Sequence, residues 1–375
     1  MRIVFVFPFC SPKINSISGG PIYLGSQGHE VLLITAQQAN SLKGDVSAPE
    51  FERIGCTEFF RPYPRSQDII SQNAAIWPIV RNRVASFKPQ VIVGFGDFNY
   101  RLPLKLRQYF GLPLVMFMEY LNLEKFSVPI RGRTLLLKVV PGPYKIFARM
   151  WQRWLARRFS AIMFSYFGDQ DMIPNLEEYC PIVRYVPWCC DIEDFKTTAQ
   201  RNPKIGIYIG SLEQFKNAAE LVKAIPLILD RTDTERFIVV GPGAYAGQVE
   251  KLSAKYGSRL EYIKSVPRSE ALQLIRSAGY GYTPVIDCGL GFVGDCWGTG
   301  TPLIATHKLK GFLNSGVDTL VVNRYQDLPQ AINELFSSPD KQEFYSANGI
   351  KRYHNNLTAE AVGEQYLKII REVVT

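Results

Sequence analysis

The stretch Asp287-Cys-Gly-Leu-Gly-Phe-Val-Gly-Asp295-Cys-Trp-Gly-Thr-Gly-Thr-Pro302-Leu-Ile-Ala-Thr306 carries two carboxylates eight positions apart, with three glycines between them. It predicts a loop, a helix, a turn and a short buried strand, with Asp287 before the helix and Asp295 in its first turns. The N-terminus of a helix presents free N–H groups and a partial positive charge, which suit a phosphate. Glycines let backbone amides approach a ligand, and carboxylates accept hydrogen bonds from its hydroxyls. The segment therefore predicts a nucleotide-sugar site.

Apolar strands alternate with helices along the chain on both sides of this stretch. Such alternation predicts an α/β protein with doubly wound parallel sheets. Before the polar stretch 196–203, strands are predicted over 2–7, 31–35, 90–93, 114–118, 161–165 and 183–187, with helices over 78–87 and 102–109. After it, strands are predicted over 204–209, 237–240, 260–263, 280–283 and 303–306, with helices over 218–230, 247–256 and 269–278.

The length of 375 residues fits two domains better than one. We predict a first Rossmann-like domain over 1–195, with the C-terminal helix 356–375 packing back on it, and a second over 196–355. In sheets of this type ligands bind at the carboxyl ends of the strands. We therefore expect the binding cleft between the two domains.

Composition narrows the chemistry further. The formal net charge of +9 and a pI of about 9.1 favour anionic partners such as nucleotides, nucleic acid or a membrane surface. Seven cysteines without a CxxC pair and only three histidines argue against a disulfide framework and a zinc site. There is no apolar run of 18 residues, and the short apolar start is typical of a first strand. We expect a cytoplasmic protein, with contact at the inner face of a membrane as an option.

Over about 180–325 the chain resembles the retaining glycosyltransferases of family 4, which have the GT-B fold. That family has two Glu at the places of Asp287 and Asp295, followed by a Gly-Thr-Pro-like step. It also has a strand ending in Gly-Arg, with a Lys a few residues later. Here Gly210 is followed by Ser211 in place of that Arg, and Lys216 matches the Lys. A bidentate phosphate clamp is thereby lost, and a point charge replaces it only in part.

The resemblance implies a metal-independent transfer of a hexose, with retention, from a nucleoside diphosphate sugar such as a UDP-sugar. The acceptor would be a hydroxyl of a glycan, a glycolipid or a lipid-linked molecule on the first domain, and no cofactor would be needed. Asp295 would bind the ribose, Asp287 a sugar hydroxyl, and Lys216 the diphosphate beside Gly210 and Ser211. Backbone contacts to the donor would come from Gly289, Leu290, Gly291 and Phe292.

The first domain offers weaker candidates. Gly19 and Gly20 resemble the family's glycine loop, where phosphate or acceptor approaches. Glu119 follows an apolar strand at the place of the family's His and would act as a base or orient the acceptor, and Asp97 is a similar candidate. Asp169-Gln-Asp171 looks like a metal motif of another glycosyltransferase class. We interpret these two acids as ordinary residues of a helix start and predict no metal site.

Two questions stay open from the sequence alone. The basic and aromatic segment 131–159 fits either an anionic bilayer or a helix that buries Phe147, Met150, Trp151, Trp154 and Leu155, and the buried helix is favoured. No nucleic-acid-binding module is present. Because Ser211 replaces an arginine, a nucleotide-sugar binder or accessory subunit with little transferase activity is one alternative function. A nucleotide-sugar isomerase of the same fold is another.

Overall fold

A computed structural model describes residues 1–7, 19–36, 58–63, 74–96, 100–118, 141–165, 173–190, 192, 201–284, 291–306, 313 and 315–375. The chain forms two compact units. One consists of Met1–Cys189 together with Ala359–Thr375, and the other of Cys190–Thr358. Within the described ranges, no helix has the length and apolar character needed to cross a membrane.

The first unit is built on a parallel sheet of seven strands in the order β3-β2-β1-β4-β5-β6-β7. The strands are β1 (Arg2–Val6), β2 (Glu30–Ala36), β3 (Glu58–Tyr63), β4 (Val91–Phe95), β5 (Leu114–Met118), β6 (Ala161–Phe164) and β7 (Val183–Tyr185). The helices are α1 (Gly19–Ser26), α2 (Trp77–Phe87), α3 (Arg101–Phe110), α4 (Pro141–Ala156), α5 (Ile173–Glu177) and, from the end of the chain, α12 (Ala359–Val374).

Both faces of this sheet are covered, which explains why its central strands are apolar throughout. Along β1, Val4 and Val6 face a core shared with residues of α2, α3, α4 and α5. Ile3 and Phe5 face the opposite core, which α1 and α12 complete. The last helix of the chain therefore belongs to the first unit, where it covers the sheet face beside α1.

The second unit is built on a parallel sheet of six strands in the order β10-β9-β8-β11-β12-β13. The strands are β8 (Asn202–Ile209), β9 (Arg236–Val240), β10 (Leu260–Ile263), β11 (Ala278–Thr283), β12 (Leu303–Ala305) and β13 (Leu320–Val321). The helices are α6 (Ala218–Arg231), α7 (Ala246–Tyr256), α8 (Arg268–Ser277), α9 (Gly291–Gly298), α10 (Leu328–Phe336) and α11 (Pro339–Asn356). Counted within each unit, the order of the first six strands is 3-2-1-4-5-6 in both sheets, the Rossmann order.

The predicted α/β class with doubly wound parallel sheets is confirmed. Two strands, β3 and β13, were not predicted. β3 interrupts its apolar residues with Arg61 and Pro62 and lies at the edge of its sheet, where a strand needs fewer apolar side chains. β13 has only two residues, too few to show any alternation.

Two helices of the first unit meet through glycine. A Cβ atom added to Gly363 in α12 would lie 2.2 Å from Cβ of Tyr23 in α1, and one added to Gly20 would lie 2.8 Å from the Tyr366 ring. Each glycine thus makes room for a tyrosine of the opposing helix. This packing places α12 close enough to cover the sheet, and it gives Gly20 a structural reason apart from any ligand.

Gly363→Ala should destabilise the first unit. The added methyl group meets the base of the Tyr23 side chain, which cannot move without shifting α1, and overpacking of this kind costs about 1–3 kcal/mol. Urea unfolding followed by circular dichroism measures the loss. Gly247→Ala in α7 is the matched control, because nothing lies within 4 Å of its added Cβ. That variant should gain up to about 1 kcal/mol from helix propensity, and equal stability of the two variants would contradict the packing argument.

Candidate functional site

The predicted donor residues of the second unit follow two strands that are neighbours in the sheet. β8 and β11 are paired in parallel, with Gly281 opposite Ile207, and the strand order reverses between them. Lys216 lies in the connection that leaves β8, and α9 follows the connection that leaves β11. In open α/β sheets the ligand crevice forms outside the carboxyl ends of the strands at this reversal.

The connection after β8 is locked to the one after β9 by a contact between glycine backbones. Gly210 N–H donates to the Val240 carbonyl at 2.9 Å, and Leu212 N–H donates to the Pro242 carbonyl at 2.8 Å. Gly241 has φ of +146°, and a Cβ added there would lie 1.9 Å from the Gly210 oxygen. Only glycine allows this approach, which holds Gly210 and the following Ser211 at the carboxyl end of β8.

Lys216 ends a short 3₁₀ turn, Gln214–Lys216, and the residue after it contacts the end of β11. The next residue, Asn217, has a left-handed backbone with φ of 53°. Its side-chain amide donates to Glu220 Oε2 at 3.0 Å and to the Pro284 carbonyl at 3.1 Å. Pro284 directly precedes the connection that contains Asp287. The structure therefore brings Lys216 next to the start of that connection.

Glu220 extends this polar cluster and was not predicted as a site residue. The Tyr282 hydroxyl donates to Glu220 Oε1 at 3.4 Å and lies 3.2 Å from Thr306 Oγ1. Burial raises the pKa of Tyr282 well above its usual value, so this hydroxyl is neutral. The cluster joins the ends of β11 and β12 to the first turn of α6. A carboxylate four residues after Lys216 carries no sequence signal that separates it from an ordinary helix-start acid.

Helix α9 is enclosed on nearly all sides, with every residue from Phe292 to Trp297 buried. Phe292 lies against Tyr208 of β8, their ring centroids 5.7 Å apart. Trp297 donates from Nε1 to the Asp318 carbonyl at 3.1 Å. A helix anchored in this way offers a fixed N-terminus at Gly291, where its first N–H groups have no partner within the helix.

Asp295 is the fifth residue of α9, and it forms a bidentate ion pair with Arg268. The two nitrogens Nη1 and Nη2 of the guanidinium donate to Oδ2 and Oδ1 of the carboxylate. The Asp295 side chain is 6% exposed, whereas that of Arg268 is 45% exposed. Burial raises the pKa of Asp295 above its usual value, and the charge and hydrogen bonds of Arg268 oppose that rise. The pair fixes the orientation of the carboxylate.

Arg268 was not predicted from the sequence, although a signal for it exists. It is the first residue of α8, where a cation meets the positive end of the helix dipole. An arginine in that unfavourable position implies an anionic partner from elsewhere in the fold. The sequence does not say which of the 34 acidic residues supplies it, because Asp295 is 27 positions away.

The other predicted residues fall into two groups. Gly19 and Gly20 begin α1, and their role toward an acceptor stays a prediction. The remaining candidates, together with the acids set aside as a metal motif, lie outside the described residues. These are Asp97, Glu119, Asp169, Asp171, Asp287, Gly289 and Leu290. Among the residues that the structure does describe, no three His, Cys, Asp or Glu side chains are grouped as a metal site.

Comparison with known proteins links the second unit to glycosyltransferases. Residues 203–338 match the family described as Glycosyl transferases group 1. No curated protein sequence matches the chain. The fold is similar to that of sucrose-phosphate synthase from Thermosynechococcus elongatus, with a TM-score of 0.71 and 16% identity over 99% of this chain and 98% of that one.

Two further structures are similar at the same level. HepE from Anabaena, solved in complex with UDP and glucose, has a TM-score of 0.70 and 14% identity over 99% of this chain and all of that one. A glycosyltransferase from Rickettsia africae has a TM-score of 0.70 and 11% identity over 100% of this chain and 98% of that one. The predicted GT-B fold and the predicted resemblance to glycosyltransferases are thereby confirmed. Membership of family 4 and retention of configuration stay predictions.

Arg268→Ala should destabilise the protein in a manner that depends on pH. The Asp295 carboxylate then stays buried without its cation, which costs about 1–3 kcal/mol of unfolding free energy at pH 7. The pKa of Asp295 should rise further, because burial acts unopposed. A carboxyl with a raised folded-state pKa holds its proton more tightly when folded. The deficit therefore grows as pH rises above about 4 and shrinks below it.

Urea unfolding of wild type and variant between pH 4 and pH 8 measures this dependence. Arg268→Lys, which keeps a charge but loses the bidentate geometry, should fall between them. The double variant Arg268→Ala with Asp295→Asn should recover part of the loss and lose the pH dependence. If the Arg268→Ala single variant is as stable as wild type at pH 8, the ion pair contributes nothing to the free energy of unfolding.

Proposed function

We propose that this protein is a metal-independent glycosyltransferase that moves a hexose from a nucleoside diphosphate sugar to a hydroxyl acceptor, with retention of the anomeric configuration. One observation carries the proposal. The connections after β8 and β11 bring Lys216 and the start of α9 to the reversal of strand order within a matched glycosyltransferase region. A UDP-sugar is the favoured donor, since the similar protein HepE was solved with UDP and with UDP-glucose.

The donor diphosphate would lie between the Lys216 ammonium and the N-terminus of α9. The first N–H groups of α9, which have no partner within the helix, a partial positive dipole charge and one lysine can together offset the charge that builds on the leaving group. Gly289, Leu290, Gly291 and Phe292 would add backbone contacts. Ser211 stands where the resemblance leads us to expect a second cation, so the phosphate would depend more heavily on Lys216 and α9.

The ribose would bind at Asp295, and a sugar hydroxyl at Asp287. Arg268 uses one lone pair of each Asp295 oxygen, and each oxygen has a second one that can accept a ribose hydroxyl. The ion pair keeps this acceptor ionised and fixed in direction before the donor arrives. Such prior orientation lowers the entropy that binding must otherwise lose.

The transfer step needs charge stabilisation at two places. The bond between the anomeric carbon and the diphosphate breaks, the acceptor oxygen attacks, and its proton passes to a base or to the leaving phosphate. In the first unit Glu119 or Asp97 would orient the acceptor hydroxyl, and Gly19 and Gly20 would lie near the acceptor. Exclusion of water protects the oxocarbenium-like sugar from hydrolysis.

A second function has a specific observation in its favour. Ser211 stands where the resemblance leads us to expect a phosphate-clamping arginine, so donor binding without efficient transfer is the main alternative. The protein would then be a nucleotide-sugar binder or an accessory subunit. A GT-B isomerase acting on the same nucleotide sugars is the third possibility, and its product would be a rearranged donor.

Lys216→Ala should lower kcat/KM strongly. A hydrogen bond to a charged group contributes about 1.5–3 kcal/mol, which corresponds to roughly 10- to 150-fold. Lys223→Ala, on the exposed side of α6, is the matched control and should behave as wild type. Mass spectrometry of products from a panel of nucleoside diphosphate sugars, with and without sugar acceptors, gives the activity. Donor binding without a transferred sugar would favour the accessory function, and an interconverted donor would favour the isomerase.

Activity should also persist in excess chelator. The charge on the leaving diphosphate would be offset by Lys216 and the α9 N-terminus, so no divalent cation is required. Initial rates with and without chelator, followed by back-titration with magnesium or manganese, check this expectation. A complete loss that metal restores would return Asp169 and Asp171 to consideration as ligands and would overturn the proposed charge compensation.

A further inference from the structure

One face of the first unit has an unusual distribution of charge. The helices α2, α3 and α4 lie in the ranges 74–96, 100–118 and 141–165. The combined number of lysines and arginines in these ranges is three, three and five, and none of the ranges contains an aspartate or glutamate. Without these eleven cations, the rest of the chain has 32 basic and 34 acidic residues. The positive net charge of the protein is therefore concentrated on these three helices and the residues that directly follow them.

The three helices form one continuous surface. All of them pack on the same face of the first sheet. Trp77 of α2 meets Tyr109 of α3 edge to face, with ring centroids 5.8 Å apart, and Lys105 lies 4.1 Å from the centroid of the Trp77 ring. Tyr100 at the start of α3 meets Trp151 of α4 at 5.7 Å. Cationic and aromatic side chains thus interleave from one helix to the next.

The same surface exposes large apolar side chains. The described part of the chain has eight exposed large apolar side chains, and five of them lie on α2, α3 and α4. Three follow one another along α4 at intervals of four residues, which places them in a single row. They are Ile146 at 61%, Met150 at 64% and Trp154 at 38% exposure.

The expectation that α4 buries Met150 and Trp154 was wrong. Trp151 and Leu155 do face the core, but Met150 and Trp154 lie on the solvent side of the helix. The physical reason is the helical period: residues at positions 151 and 155 share one face, and those at 146, 150 and 154 share another. Arg158 stacks its guanidinium 3.6 Å from the centroid of the Trp154 ring, so cation and indole lie together on that outer side.

We propose that the outer face of α2, α3 and α4 docks the protein on an anionic lipid bilayer. Arginine and lysine attract the headgroups, and the row formed by Ile146, Met150 and Trp154 enters the boundary between headgroups and acyl chains. Tryptophan is favoured at that depth because its ring is apolar and its N–H is polar. This inference concerns a partner surface and does not depend on the proposed transfer reaction.

A bilayer explains the surface better than nucleic acid does. Phosphate backbones would account for the cations, but an aliphatic row of isoleucine and methionine offers nothing to a phosphate or to stacked bases. The opposite face of the same unit is a useful contrast. There α12 mixes Glu360, Glu364 and Glu372 with Lys368 and Arg371. On the near side α5 ends in Glu177, so the absence of carboxylates is a property of α2, α3 and α4 and not of the whole side.

The test uses the full-length protein and vesicles of phosphatidylcholine with 30–40% phosphatidylglycerol, compared with pure phosphatidylcholine, in a sedimentation assay. Arg101→Glu, Arg153→Glu and Arg157→Glu together alter three exposed cations of the face. The matched control alters three exposed lysines elsewhere: Lys223→Glu, Lys251→Glu and Lys368→Glu. A second variant, Ile146→Ser with Met150→Ser, removes apolar side chains without changing charge. Circular dichroism confirms the fold of each.

Wild type should sediment with anionic vesicles and not with neutral ones. The face variant should bind roughly a hundredfold more weakly, since each cation near an anionic surface contributes about a fivefold factor, and the control variant should bind more than tenfold better than the face variant. Part of the vesicle binding of wild type should persist at high salt, because apolar contacts are not screened. The serine variant should lack this salt-resistant part. Brominated acyl chains should quench tryptophan fluorescence less in Trp154→Phe than in wild type.

The proposal is overturned if wild type does not bind anionic vesicles or if the face variant binds them as well as wild type. It is also overturned if the control variant loses as much vesicle affinity as the face variant, or if the quenching does not depend on Trp154. If the face variant loses affinity for a single-stranded oligonucleotide while wild type does not bind vesicles, the surface serves nucleic acid instead. Nucleotide affinity measured in the same variants should stay unchanged, which separates failure of this inference from failure of the proposed function.

Discussion

The architecture depends on one constraint: a parallel strand cannot be followed directly by its neighbour, so the chain must cross the sheet and return. Most of the crossings that the structure describes contain a helix, and helices on both sides leave the central strands without a solvent face. The strands are therefore apolar throughout, and polar chemistry is confined to the connections at their ends. The Rossmann order then decides which connections meet, because the strand order reverses only between β8 and β11 in the second sheet.

Close backbone contacts make that meeting point rigid. Gly241 approaches the Gly210 carbonyl so closely that no side chain fits, and this contact joins the connections after β8 and β9. Asn217 then joins the β8 connection to Pro284 at the end of β11. Three of the strand ends are thereby tied together through hydrogen bonds and glycine contacts, which fixes the backbone of the turn that carries Lys216. A site that must stabilise transient charge benefits from such prior order.

The ion pair of Arg268 and Asp295 adds an electrostatic requirement. A buried carboxylate is costly unless a cation and hydrogen bonds accompany it, and the bidentate guanidinium supplies both. The half-exposed position of Arg268 lets that cation stay partly hydrated, so the cost of burial falls mainly on Asp295. The pair therefore stabilises α8 against α9 and at the same time presents an ionised acceptor at the proposed donor site.

The sequence by itself determined the fold class and most strands, since strands buried on both faces must read as continuous apolar runs between helical patterns. It also led to the prediction of a nucleotide-sugar site at residues 287–295, because glycine, carboxylate and helix-start signals lie within one short segment. Only the tertiary structure decided what depends on contacts between distant residues. The partner of Asp295, the tyrosines packed against Gly20 and Gly363, and the concentration of cations on α2, α3 and α4 all belong to this group. No local pattern records which helices share a sheet face, and for that reason the outward row of Ile146, Met150 and Trp154 became visible only once the fold had turned Trp151 and Leu155 inward.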